Sequence, residues 1–110
     1  MARFMLIGKY TAAGLAATRS EGLTARSKVV KGAVESLGGT FVGQYWTSGT
    51  DDSVVIADFP DASGAVALIS AVKAAGAAEL SIVRLFDGPE FDAIVNSATT
   101  MKYTPPAQGK

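Results

Sequence analysis

Residues 40–59 read TFVGQYWTSGTDDSVVIADF. Thr40 to Thr47 is rich in β-branched and aromatic residues, Ser48-Gly49-Thr50-Asp51-Asp52 is a turn-forming cluster, and Ser53 to Phe59 follows at hairpin spacing. The stretch predicts an antiparallel hairpin. On its C-terminal side, Pro60-Asp61 stops the strand, and Asp61 is placed to cap a helix whose buried side carries Ala65, Leu68, Ile69 and Val72 until Gly76 ends it. Glu79 to Phe86 (ELSIVRLF) is a further strand. Pro89 opens a short last helix running to Ala98, and the tail from Thr99, with Pro105-Pro106, frays into polar residues.

On the N-terminal side of the hairpin, Gly38-Gly39 stops a helix whose apolar positions Ala25, Val29, Ala33 and Leu37 fall four apart, with Val30 and Val34 widening the stripe. Thr24 is its expected cap, and Gly22 separates it from a shorter Ala-rich helical stretch capped by Thr11. Before that, Arg3 to Tyr10 (RFMLIGKY) alternates Phe4 and Leu6 on one face with Met5 and Ile7 on the other, so both faces of this first strand want burial. The order is strand, helix, strand, strand, helix, strand. That is the split βαβ pattern of a ferredoxin-like α+β fold, βαββαβ, with a four-stranded antiparallel sheet and an extra C-terminal helix. The first and third strands are central in that topology, and they are the two with apolar residues on both faces. Two helices cover one face of such a sheet, yet the other is apolar too, and an exposed apolar patch above a few hundred Å² is unusual on a soluble monomer. A second copy packing sheet against sheet is the expected cover, giving a homodimer or higher homo-oligomer.

Composition narrows the chemistry. The chain has 110 residues, 48% hydrophobic and 18% charged, with ten basic and ten acidic side chains and no histidine or cysteine. A chain of this length buries roughly 65% of its unfolded surface, which is enough for one core. Without His or Cys there is no thiolate or imidazole zinc site, no Ser/His/Asp triad and no His-ligated haem. No metal and no cofactor are expected. The basic residues are spread along the chain rather than gathered in a stripe, so nucleic acid is not an expected partner. No apolar run approaches the 20 or so residues of a membrane helix, and Lys9 interrupts Phe4 to Gly8 well short of a signal-peptide core. A cytoplasmic protein without a membrane partner is expected.

Several motifs keep a familiar order and spacing: Thr11-Ala-Ala-Gly14, Arg26, Gly38-Gly39, Tyr45, Gly49-Thr-Asp-Asp52 and Ala57-Asp-Phe-Pro60-Asp61. Together they resemble the GYD domain family of small bacterial and archaeal proteins, over roughly Met1 to Val95. The resemblance implies a ferredoxin-like fold that assembles as a dimeric α/β barrel. It suggests one domain over 1–98 and a C-terminal tail over 99–110. The family has Gly-x-Tyr-Asp where this chain has Gly49-Thr50-Asp51-Asp52, so Asp51 stands in the place of the tyrosine.

Seven residues are candidates for a site. Asp52 is either a turn and strand-start residue or, in the site reading, a catalytic base, with Asp51 beside it as a polar ligand contact. Tyr45 and Trp46 end their strand on opposite faces, so one faces the helices and the other the expected barrel interior; each is a packing residue or an aromatic wall for a ligand. Tyr10 closes the first strand and either lines the same mouth or is a surface phenol. Arg84 interrupts the apolar alternation Leu80, Ile82, Phe86 and needs water, an acidic partner or an anionic ligand. Arg26 lies in the first turn of a helix, where the dipole disfavours a cation, and so calls for a specific partner. Two functions fit these residues: an oligomeric domain that binds a small molecule or a partner without catalysis, and a cofactor-independent enzyme of oxygenase or isomerase type. The second follows from barrel relatives that act on small aromatic or polyketide-like substrates. In it Asp52 is the base, Arg84 or Arg26 stabilises developing negative charge, and Tyr10, Tyr45 and Trp46 shape the pocket.

Overall fold

Side-chain alternation along the strands sets the two layers of the molecule. In β1 (Ala2–Tyr10) the buried positions are Phe4, Leu6 and Gly8, and in β3 (Ser53–Phe59) they are Ser53, Val55, Ala57 and Phe59. The register pairs them directly, Phe4 with Ala57, Leu6 with Val55 and Gly8 with Ser53, so one face of the sheet forms the floor of the core. The computed structural model describes residues 1–107; positions 108–110, the end of the expected tail, lie outside the described residues. Strands β2 (Thr40–Trp46) and β4 (Ala78–Leu85) complete an antiparallel sheet in the order β2-β3-β1-β4, with β1 and β3 central as their two-faced sequences predict. This is the ferredoxin-like α+β fold. Its helices, among the described residues, are α1 (Ala12–Glu21), α2 (Leu23–Ser36), α3 (Ala62–Ala74) and α4 (Gly88–Ala98).

The core lies between the sheet and the helices. Val34 of α2 and Ala65 and Leu68 of α3 close onto Phe4, Leu6, Val55, Ala57 and Phe59. The rings of Phe4 and Phe59 sit 6.2 Å apart. Each large side chain buried there contributes about 1.5–3 kcal/mol.

Most helix signals act where the sequence puts them. Thr11 Oγ1 accepts the Gly14 N–H at 3.0 Å, and Asp61 Oδ1 accepts the Ser63 N–H at 2.8 Å. Thr24 does not cap α2. The helix begins at Leu23 because Gly22, at φ 102°, turns the chain in a single residue, and its carbonyl already accepts the Arg26 N–H at 3.0 Å. Thr24 is thereby left inside the first turn. At the other end, Pro89 stands in the opening turn of α4 as its sequence predicts, and Asp87 caps the helix, forming a reciprocal capping box with Glu90.

The second face of the sheet carries Met5, Ile7, Val54, Ile56 and Val83, with no helix over it. At its end the cross-strand neighbours Arg3 and Asp58 form a two-point ion pair at 2.8 and 3.0 Å. The guanidinium holds the Asp58 carboxyl below the usual carboxylate range. Among the described residues no helix is long and apolar enough to cross a membrane.

Candidate functional site

Small side chains open a cavity between the sheet and the helices. Gly8 on β1, Gly14 and Ala17 on α1, and Ala75, Ala77 and Ala78 from the end of α3 to β4 leave a space of about 230 Å³. Its apolar walls come from Leu6, Val30, Val55, Leu68, Val72 and Leu80. For scale, an engineered apolar cavity of about 150 Å³ takes up benzene. Gly14 brings α1 this close to the neighbouring loop, because a Cβ there would stand 1.9 Å from the Ala77 carbonyl oxygen.

Polar groups enter this space at two levels. On the sheet side, Gln44 Nε2 donates to Ser53 Oγ at 3.1 Å, and Gln44 Oε1 is buried without a hydrogen-bond partner. An orphaned buried acceptor costs about 1–3 kcal/mol, so Gln44, a residue of the cavity lining, carries an unused acceptor. At the more exposed side, Arg26 Nη1 lies 3.6 Å from Glu21 Oε1, with both side chains lining the cavity and roughly a third or more exposed. Glu21 is thus the partner that the position of Arg26 calls for. Beside them, Tyr10 closes β1; its hydroxyl oxygen accepts the Trp46 indole N–H at 3.0 Å.

A β-bulge between Phe41 and Gly43 sets this arrangement. It pairs Gln44 with Val55 and Trp46 with Ser53, turning both toward the helices, while Tyr45 pairs with Val54 on the uncovered face and is 62% exposed. Asp52 supports the site from behind. Its Oδ2 accepts the Tyr10 N–H at 2.8 Å and its own N–H donates to Gly8 O at 2.9 Å, which ties the turn after β2 to the end of β1.

The structure therefore brings Tyr10 and Arg26 together in one cavity wall, with Trp46 and Asp52 bonded to Tyr10 from outside it. Asp51 lies exposed in the turn, where its carbonyl accepts the Thr47 hydroxyl. Arg84 is elsewhere. It pairs with Phe4 across the strands, about 20 Å along β1 from Tyr10. Its guanidinium donates to Glu90 Oε2 at 2.8 Å and stacks 4.4 Å over the Phe86 ring, so its acidic partner comes from α4. Gln44, Ser53, Thr18 and Glu21 join the cavity lining without having stood out in the sequence. A signal for one of them exists: Gln44 is the polar side chain within the apolar and aromatic run Phe41–Trp46. Among the described residues no three His, Cys, Asp or Glu side chains gather into a metal-binding group.

A profile of the GYD domain family matches residues 4–95, a span that takes in the sheet, α1 to α3 and the first two turns of α4. The chain belongs to the GYD domain family. Among curated proteins and among solved structures none matches it. Within the GYD span, the turn with Asp51 in place of the tyrosine lies outside the cavity lining, and its Gly49 N–H donates to Thr47 Oγ1 at 3.3 Å.

Proposed function

We propose that this GYD domain is a homodimer in which each chain binds a small, mostly apolar molecule without turning it over. The observation that carries the ligand reading is Gln44 Oε1, a buried acceptor without a partner beside an apolar cavity of about 230 Å³. The ligand it fits has a ring-sized apolar body and one hydroxyl or N–H donor, which would take the free acceptor while the Ser53 hydroxyl offers a matching contact. Binding is favoured over turnover because the Asp52 carboxylate is bonded to the Tyr10 amide outside the cavity lining. The carboxylate that does line it, Glu21, faces Arg26.

The dimer part of the reading rests on the uncovered face. Met5, Ile7, Val54 and Ile56 form a continuous apolar surface across the two central strands, and two such faces pack about 10 Å apart in sheet-on-sheet interfaces. Equal numbers of acidic and basic residues leave no net repulsion between copies.

The ligand reading is tested with two probes of one shape, p-cresol and toluene, titrated into ¹⁵N-labelled protein and followed by amide chemical shifts. Wild type is expected to take up both and to prefer p-cresol. Gln44→Met, which keeps the side-chain length and removes the acceptor, is expected to weaken p-cresol about tenfold and to leave toluene within twofold, as one hydrogen bond requires. Equal p-cresol affinity in wild type and Gln44→Met would overturn the assignment.

A further inference from the structure

The chain does not end with its sheet. After β4, the residues Phe91, Ile94, Val95 and Ala98 recur at helical spacing and make an apolar stripe along α4. None of the helix is buried: Phe91 is 52%, Ile94 44% and Val95 50% exposed. A helix of 11 residues is marginal in water on its own, and its capping box contributes only about 1 kcal/mol. Something must cover the stripe for the helix to persist.

Its own core is not in reach. Only Phe86 and Asp87 separate β4 from α4, and the direction of departure is fixed from several sides. Arg84 holds Glu90 at 2.8 Å and stacks on Phe86, Phe86 packs 5.9 Å from Phe91, and Asp87 and Glu90 cap one another. Folding α4 back would break all of these. With α4 and the exposed residues after it, the molecule measures 59 Å along its longest axis, and the radius of gyration is 17.8 Å against about 13 Å for a compact chain of about this length.

We propose that α4 is an exchanged arm: its Phe91, Ile94 and Val95 stripe packs on a second copy of this chain, across the same two-fold interface as the uncovered sheet face. It rests on the homodimer reading above and adds that the dimer is held by its arms. A two-fold pair gives each arm a receiver and leaves no stripe over, which no single chain does. Area supports a second copy as the occupant. The exposed fractions of Tyr45, Phe86, Phe91 and Tyr103, at about 200 Å² per aromatic side chain, come to roughly 400 Å². With Val42, Val83, Ile94, Val95 and Met101, exposed by 39% to 61%, the chain approaches the roughly 800 Å² per partner of a standard stable interface.

The test is sedimentation velocity over a concentration series, with circular dichroism and urea unfolding to check that each chain is folded. Phe91→Asp combined with Ile94→Asp, and separately a chain ending at Asp87, should remain folded, since α4 adds nothing to the core, and should dimerise at least tenfold more weakly. The chain has no cysteine, so Asn96→Cys accepts a single nitroxide. Mixed with ¹⁵N chain that carries no nitroxide, it should broaden amides of that other copy. A dimer of unchanged affinity in both arm variants, or a mixed dimer whose ¹⁵N amides are not broadened, overturns the arm while leaving the dimer standing. A wild-type chain that is monomeric at tens of micromolar overturns both.

Discussion

Gly14→Ala adds one methyl group at a helix position where alanine is ordinarily the better residue, and here it should destabilise the protein. The new Cβ would stand 1.9 Å from Ala77 O, 2.7 Å from Ala77 C and 2.9 Å from Ala77 Cα, all of them backbone atoms. No side chain can turn aside, so the first turn of α1 must move away from the loop joining α3 to β4. That turn is fastened to the same loop by Thr11 N–H to Ala77 O at 3.1 Å and Thr11 Oγ1 to Gly76 O at 2.8 Å. Overpacking of this kind costs about 1–3 kcal/mol. Loosening two hydrogen bonds costs about 1 kcal/mol each, and the helix propensity of alanine returns about 1 kcal/mol. The net loss is about 2–4 kcal/mol. With a urea m-value of about 1.5 kcal/mol/M for a domain of this size, the midpoint should fall by about 1.5–2.5 M. Gly32→Ala is the matched control. It lies in α2 with nothing within 4 Å of the added Cβ, so only propensity acts, and its midpoint should rise by about 0.5 M. Both are measured by urea unfolding at one fixed protein concentration, because the proposed dimerisation would make midpoints depend on concentration. A Gly14→Ala midpoint at or above that of wild type would refute the close packing of α1 on Ala77.

Two further outcomes follow from the sheet. Asp58 has a carboxyl pKa lowered by its hydrogen bonds from Arg3, so its ionised pairing stabilises the fold above the unfolded value of about 3.9 and is lost as pH falls from there through the lowered folded value. Asp58→Asn should be less stable than wild type at pH 7, and the gap should narrow by pH 3 in urea unfolding; a gap of equal size at both pH values would show that the pair contributes nothing. Val54 and Val55 are adjacent on β3 but face opposite ways, Val55 into the core and Val54 onto the uncovered face. Val55→Asp should therefore unfold the chain, while Val54→Asp should leave it folded and monomeric by circular dichroism and sedimentation; the same outcome for both would refute the assignment of faces.

The fold was legible because it follows from burial at regular spacing. Strands β1 and β3 are apolar on both faces, which is what a central strand needs, and the hairpin of residues 40–59 places two of the four strands by itself. Arg84 was legible in the same way. A charge in an apolar alternation must find a partner, and Glu90 supplies it six residues on. The cavity was not, since it is made by what is missing. Gly8, Gly14, Ala17 and Ala77 line it with little or no side chain, and small residues look the same in sequence whether they admit a ligand or a neighbouring helix. Thr24 failed as a cap for a related reason: the backbone freedom of Gly22 achieved in one residue what a capping side chain would have supported.

The polar floor of the site depends on one extra residue in β2. Counting in twos from Phe41, which faces the core opposite Ala57, puts Tyr45 toward the helices and Gln44 and Trp46 on the uncovered face. The bulge between Phe41 and Gly43 reverses all three. Gln44 then meets Ser53, Trp46 reaches Tyr10, and Tyr45 is left exposed where a second copy is proposed to pack. That Tyr45 and Trp46 take opposite faces follows from alternation, but which takes which depends on a two-for-one pairing with β3, and a strand's own sequence does not state its partner's count. Gly43 offers a local hint, since a Cβ there would stand 3.2 Å from the Tyr45 side chain. The step that exposes an aromatic on the uncovered face is thus the same one that buries the free Gln44 acceptor, so the proposed ligand site and the proposed interface are two consequences of a single irregularity in an edge strand.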